Sequence, residues 1–216
     1  MKYLLTLSFL VFMVAGAFAQ DKTAAELKNE GNEALRTKSY QGALELFEKA
    51  IASWEEGVEM DTKMVYNTAT SARKIKNYEK ALKYYTMAKE LGYKPDYCTY
   101  YIAKSLNSLG KEDDMEKVLV AGLDEYKTSK AAGPMKKMLV TYYLKEGASP
   151  YNKAGGILAT AAKAEPTQYD GIIARANAKF EEAKPFFEKV LEIDPNNASA
   201  KATLAEINDR LSGTKS

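Results

Sequence analysis

A spacing that recurs along the chain constrains its fold more than any other feature. Residues 179–197 read KFEEAKPFFEKVLEIDPNN, with an aromatic at Phe180, a small residue at Ala183, a second aromatic at Phe187, a small apolar residue at Val190 and a helix-ending Pro195. A helix written this way can pack against two neighbours at once, because small residues sit where backbones approach and an aromatic fills the gap. Stepped backwards by about 34 residues, the same template fits four more times. The first unit carries Leu27, Gly31 and Ala34 on one helix and Tyr40, Ala43, Phe47 and Ala50 on the next. The second carries Val65, Ala69 and Ala72, then Tyr78, Ala81, Tyr85 and Ala88. The third keeps Ala103 and Leu106 before a turn at Gly110, while Met115, Leu119 and Gly122 replace the small, aromatic and small positions; three-and-four apolar spacing still makes it a helix pair. In the fourth, Met138 and Tyr142 precede a turn expected at Gly147-Ala148-Ser149-Pro150, with Ser149 as the cap and Pro150 opening a helix through Tyr151, Ala154, Leu158 and Ala161. In the fifth, Gly171 and Ala174 sit on a truncated helix after Pro166, ahead of the 179–197 stretch.

This set of positions resembles the tetratricopeptide repeat, and residues 179–197 look like its second helix. The resemblance implies an all-α superhelical stack of about five helix-turn-helix units. A capping helix from Ala198 to Leu211 closes it, with Ala198, Ala202, Ala205, Leu204, Ile207 and Leu211 expected on its apolar face. The chain then divides into a signal peptide (1–19), units one to three (20–132), units four and five (133–197), and the capping helix with its tail (198–216). Spacing departs from the template in three places. Extra residues around Trp54 to Met60 read as a longer second helix whose end Trp54 covers. An insertion from Tyr126 to Pro134 includes the helix-breaking pair Gly133-Pro134, a candidate hinge. The step between units four and five is short. Pro185 falls inside the last repeat helix, where it removes a backbone bond.

The N-terminus sets the expected compartment. One cation, Lys2, precedes an apolar run from Tyr3 to Ala15, and Ala17-Phe18-Ala19 then forms a small-x-small site, so cleavage before Gln20 is expected. A membrane span needs about 20 apolar residues, and this run is shorter. The mature chain is therefore expected to be exported, periplasmic or secreted, without stable membrane insertion. With 31 basic and 29 acidic residues, the chain lacks the basic excess of a nucleic-acid binder. A single cysteine, Cys98, allows no internal disulfide and reads as a small buried side chain.

The chemistry is as informative for what it lacks. No histidine is present, which removes the Ser-His and Cys-His nucleophilic systems and His-ligated zinc. Gly110-Lys111 lacks both the upstream glycine and the following hydroxyl of a phosphate loop. The acidic clusters Glu55, Glu56, Glu59 and Asp61, and Glu112, Asp113 and Asp114, read as solvated helix ends. No cofactor, metal or catalytic residue is expected. What the resemblance does imply is a concave groove lined by the first helix of each pair, along which peptides lie. Its groove positions carry over to Lys28, Asn32, Tyr66, Asn67, Arg73, Lys74, Tyr97, Tyr100, Lys104, Tyr143 and Arg175. Tyrosines and cations dominate this set, a composition that suits peptide recognition, although many of the 15 tyrosines also serve to fill gaps between helices. Tyr66, Arg73, Lys74, Tyr100 and Lys104 would form a basic strip across units two and three for an acidic segment or a C-terminal carboxylate, with Arg73 and Lys74 dispensable for folding. Lys28, Asn32 and Asn67 also resemble half of the two-carboxylate clamp by which some cytoplasmic family members hold a chaperone C-terminus; Tyr97 and Tyr101 stand where that clamp has Lys and Arg. The expected function is a non-catalytic protein-interaction scaffold of the cell envelope, binding a protein or extended peptide. The alternatives are an envelope enzyme or glycan-binding accessory module, which needs paired acids across one cleft, and a membrane-anchored assembly factor with an uncleaved N-terminus.

Overall fold

The computed structural model describes residues 22–213. The expected signal peptide lies outside these residues, as does the end of the tail. Among the described residues the chain is helical, with no strand. Six helices come as three pairs: α1 (Ala24–Arg36) with α2 (Tyr40–Ala52), α3 (Thr62–Lys74) with α4 (Tyr78–Glu90), and α5 (Pro95–Ser108) with α6 (Glu112–Glu125). Two long helices follow, α7 (Ala132–Ala161) and α8 (Pro166–Ile193), and α9 (Ala198–Leu211) closes the chain. Each helix packs on the one before it and the one after it, so the molecule is a superhelical stack, as the repeat pattern requires.

The three pairs turn by one device. Lys38, Lys76 and Gly110 each take positive φ (62°, 62° and 72°). The next residue then donates its backbone N–H back across the turn: Ser39 to the carbonyl of Ala34 (2.8 Å), Asn77 to that of Ala72 (2.9 Å) and Lys111 to that of Leu106 (2.9 Å). These bonds satisfy carbonyls that the ending helix leaves open. Capping fixes several helix starts: Thr23 and Glu26 form a reciprocal capping box on α1, while Asp61, Asn77 and Asn197 accept from the backbone of Met64, Lys80 and Ala200.

Units four and five do not turn where expected. The segment Gly147-Ala148-Ser149-Pro150 is helix, part of the 30 residues of α7, and Pro150 lies inside it rather than opening a new helix. By repeat spacing Pro150 occupies the place of Ser39 and Asn77, whose N–H groups close the turn, and proline has no N–H to give. Gly171 and Ala174 likewise continue without a break into Phe180 and Phe187, within the 28 residues of α8, so the truncated helix does not exist as a separate element. As a result α7 and α8 form one antiparallel hairpin, and the unit that ends the stack combines the first half of α7 with the second half of α8.

Three smaller expectations also change. The residues after Ala52 do not lengthen α2, which has 13 residues like α1; they form a loop in which Trp54 is half-buried against the α1–α2 core. Gly133-Pro134 is no helix-breaking pair, for both residues lie in the first turn of α7. On α9, Ala198, Ala202 and Ala205 are exposed, and Ala200 and Ile207 are the residues buried.

The packing logic of the repeat holds elsewhere. Phe47, Tyr85, Leu119 and Val190 are fully buried and Phe187 nearly so, each between helices. One apolar cluster runs from Leu44 in α2 through Leu119 and Leu139 to Ile207 in α9, unbroken at residue 133, and a smaller one joins Leu27, Phe47 and Met64. A side chain at Gly147 would place its Cβ 3.0 Å from both Phe186 and Phe187, so glycine there is what lets α7 and α8 meet.

Candidate functional site

The first helices of successive pairs share one face of the stack, and two grooves open on it. The groove between α1 and α3, about 620 Å³, gathers Lys28, Asn32 and Asn67, the three residues with the half-clamp spacing. Lys28, however, is held by Asp61 at 3.2 Å and lies over the Trp54 ring, with Nζ 5.8 Å from the ring centroid. Asp61 in turn caps α3 through the N–H of Met64 at 2.9 Å. Burial opposes the Asp61 charge, but the bonds from Met64 and Lys28 outweigh it and hold the carboxyl below its usual range. Arg36, also on this groove, is engaged by Glu33 at 2.6 Å. Two of the groove's cations are therefore already engaged.

Between the grooves, the expected basic strip is largely a structural cluster. Tyr85 is fully buried; its hydroxyl lies 3.1 Å from that of Thr70 and accepts from Arg73 Nε at 3.2 Å. Its ring stacks on Tyr101 (centroids 5.0 Å apart, 20° between planes) and meets Tyr66 edge-on at 5.4 Å. Tyr66 in turn contacts Tyr93 at 5.3 Å, and the Arg73 guanidinium sits 4.6 Å from the centre of Tyr101. Burial works against the Arg73 charge, and the bond to Tyr85 together with the surrounding tyrosines Tyr85, Tyr101 and Tyr66 outweighs it. Tyr66 and Tyr85 are both pushed up, chiefly by burial, and stay neutral. Arg73 and Tyr66 thus fasten α3 to α4 and α5, contrary to the expectation that Arg73 is dispensable for folding. Lys74 is exposed and reaches the Tyr40 ring at 5.7 Å, while Tyr97 is half-buried against the core.

The second groove, about 920 Å³, lies between α5 and α7 and has a different character. Tyr100, Lys104 and Asn107 face it from α5, four and then three residues apart. From α7 come Lys137, Met138, Thr141, Tyr142 and Lys145, again one helical stripe. Tyr100, Met138 and Tyr142 are half-buried, and Lys104, Lys137 and Lys145 are exposed. Lys145 is bonded to Glu112 at 2.7 Å, and Lys104 lies 5.7 Å from the Tyr100 ring centre. Burial, with Glu116 next in weight, pushes the Tyr142 hydroxyl up to about 12, so it remains a neutral donor.

Of the expected residues, only Tyr100 and Lys104 reach this groove. Tyr143 points the other way: it is 3% exposed, its hydroxyl donates to Glu116 at 2.6 Å, and Lys189 sits 4.7 Å from its ring centre while bonding Glu116 at 2.9 Å. The register carried over from the template was one residue off, which on a helix is a rotation of about 100°. Tyr142 is the groove residue; the signal that could have found it is the α7 stripe itself, with lysines and apolar residues alternating at three-and-four spacing. Arg175 is exposed near the tip of the α7–α8 hairpin, lining a separate hollow with Lys163 and Gln168.

Elsewhere the acidic run and the cysteine have plain structural places. Glu112, Asp113 and Asp114 are the first three residues of α6, where the helix dipole favours acids. Cys98 is fully buried on α5, its thiol donating to the carbonyl of Tyr93 at 3.2 Å, and burial, aided by Asp96, raises its pKa to about 12. Among the described residues no cluster of His, Cys, Asp or Glu could hold a metal, and no helix is long and apolar enough to cross a membrane.

Residues 171–197, most of α8 and the loop after it, match the family profile of the tetratricopeptide repeat. A TPR repeats protein from Bacteroides fragilis superimposes with a TM-score of 0.56 at 20% identity, over 86% of this chain and 97% of that one. A putative protein binding protein from Bacteroides ovatus follows at a TM-score of 0.45 and 17% identity, over 90% of this chain and all (100%) of that one. The myosin chaperone UNC-45 from C. elegans, solved with an Hsp90 peptide, gives 0.48 and 18%, over 88% of this chain and 23% of that one. No curated protein matches the sequence. At these identities the likeness is one of fold, and it rests on the first of the three.

Proposed function

We propose that this chain, a tetratricopeptide-repeat protein, is a non-catalytic scaffold that binds a protein or an extended peptide along the face formed by its first helices. The observation that carries this reading is the α5–α7 groove, where half-buried Tyr100, Met138 and Tyr142 form an apolar floor open to solvent. Aromatic side chains in a preformed cleft give contact area at small entropic cost. A second part of the proposal is location: the 1–19 segment reads as an export signal, so the scaffold works in the cell envelope or outside it. Intact mass of exported protein tests that part, since a chain beginning at Met1 overturns it.

The binding reading is tested by placing a photo-crosslinking residue at Asn107, in the groove, or at Glu45, exposed on a second helix. Crosslinks to a partner from Asn107 and not from Glu45 support the first-helix face. Crosslinks from Glu45 alone move the site to the outer helices.

A further inference from the structure

The two grooves on the first-helix face differ in the charge they can offer. In the α1–α3 groove Lys28 and Arg36 are bound to Asp61 and Glu33, which leaves Lys63. Three lysines and Glu112 line the α5–α7 groove, and Glu116, Glu146 and Asp113 lie near its Tyr142; of these acids, Glu112 and Glu146 are engaged by Lys145 and Glu116 by Lys189. Lys104 and Lys137 are exposed and form no ion pair among the described residues. They stand on opposite walls, one on α5 and one on α7, with Tyr100, Met138 and Tyr142 between them. A cationic pair above an apolar floor is complementary to a chain that presents carboxylates around an apolar side chain.

We infer that the α5–α7 groove seats an extended acidic segment of a partner protein. One apolar side chain of that segment rests on Tyr100, Met138 and Tyr142, and flanking Asp or Glu side chains meet Lys104 and Lys137. This rests on the reading of the first-helix face as the binding surface. Met138 suits such a floor because its thioether adapts to the shape of an aliphatic or aromatic ring. Tyr142 is neutral through the physiological range and adds no charge to the floor. Asn107, exposed at the rim, has both a donor and an acceptor for an extended backbone. The seat differs from the strip read off the sequence: its cations come from α5 and α7, and Arg73 takes no part.

The test uses the full exported chain and three labelled peptides in fluorescence anisotropy: an Asp/Glu peptide with a central Phe, the same peptide with central Ala, and a Ser/Gln peptide with central Phe. The first is expected to bind tightest, both others at least about tenfold more weakly, and rising salt to weaken the first without abolishing it. Lys104→Glu with Lys137→Glu is expected to weaken the first peptide at least about tenfold, with helicity and melting unchanged because both side chains are exposed. Lys63→Glu, in the other groove, is expected to leave binding unchanged. If the double variant binds like the parent, or Lys63→Glu abolishes binding, the assignment of this groove is wrong. If the neutral Phe peptide binds as well as the acidic one and competes with it, the acidic class is wrong while the first-helix face stands. If no peptide binds and the partner crosslinks only from Glu45, the parent reading fails as well.

Discussion

Residues 22–125 and the α7–α8 hairpin show what the same kind of sequence does with and without its turns. In the first region every helix has 13 or 14 residues, side chains cap the starts of α1, α3 and α4, and a closed turn joins the two helices of each pair. There α3 buries six of its 13 residues, Met64, Val65, Thr68, Ala69, Ser71 and Ala72. In the hairpin α7 also buries six, but of 30, and only Ala154 lies beyond Gly147. The far half of the hairpin, residues 152–178, buries little more than Ala154, Ile172 and Ala176. Unlike Gly147, its glycines Gly155, Gly156 and Gly171 have no atom within 4 Å of a would-be Cβ, so they are not there for close packing. Glycine in an open helix interior costs about 1 kcal/mol relative to alanine. The first region is therefore held by tertiary contact on both sides, whereas the far half of the hairpin is held mainly by its own two helices. A repeat stack is stable as a sum of interfaces, and this arm lacks a next neighbour.

The largest expected effect is at the base of the arm. Phe187 packs on Gly147 and against Tyr151, and Phe187→Ala is expected to cost about 3 to 5 kcal/mol in chemical denaturation. A loss under about 1 kcal/mol would mean the hairpin base is not the close-packed end of the stack. Next is the tyrosine cluster in the first region. Arg73→Ala removes a charged donor from buried Tyr85, and a loss of about 1.5 to 3 kcal/mol is expected; no change in melting would return Arg73 to the free groove.

Smaller effects sharpen the contrast. Gly155→Ala with Gly156→Ala is expected to stabilise the arm by up to about 1 kcal/mol per site, read as slower amide exchange across 152–161. In the unaltered protein, amides of 152–178 are expected to exchange faster than those of α3 and α4; equal protection would show the arm to be as cooperative as the stack. The smallest effect is acid lability at the junction. Glu116 ties α6 to Tyr143 on α7 and Lys189 on α8; burial raises its pKa, but these two bonds outweigh burial and leave it depressed. A depressed carboxylate contributes stability above its unfolded pKa, about 4.3, and loses it as pH falls through the folded value. The denaturation midpoint is thus expected to drop between about pH 5 and pH 3, and Glu116→Gln to lessen the drop by under about 1 kcal/mol, since the group is partly solvated.

The sequence by itself determined the architecture where it carried both halves of each signal. Gly31 with Phe47, and Ala69 with Tyr85, state that two helices meet closely, and the turn at Gly110 falls where the sequence put it. The bounds of the last helix, Ala198 to Leu211, were legible, though not which of its alanines it buries, and so was the burial of Phe187 and Cys98. What only the tertiary structure decided concerns continuity and rotation. Gly147-Ala148-Ser149-Pro150 has the composition of a turn, and repeat spacing alone could not show that Pro150 removes the N–H that closes it. Which of Tyr142 and Tyr143 faces the groove depends on one residue of register, fixed by Tyr143 reaching Glu116 across sequence. Whether a cation is free depends on its partner: Arg73 and Lys28 read like Lys104 and Lys137, and only the distances to Tyr85 and Asp61 set them apart. Periodicity is local and survives in one dimension, but hydrogen-bond partners come from residues far apart in sequence.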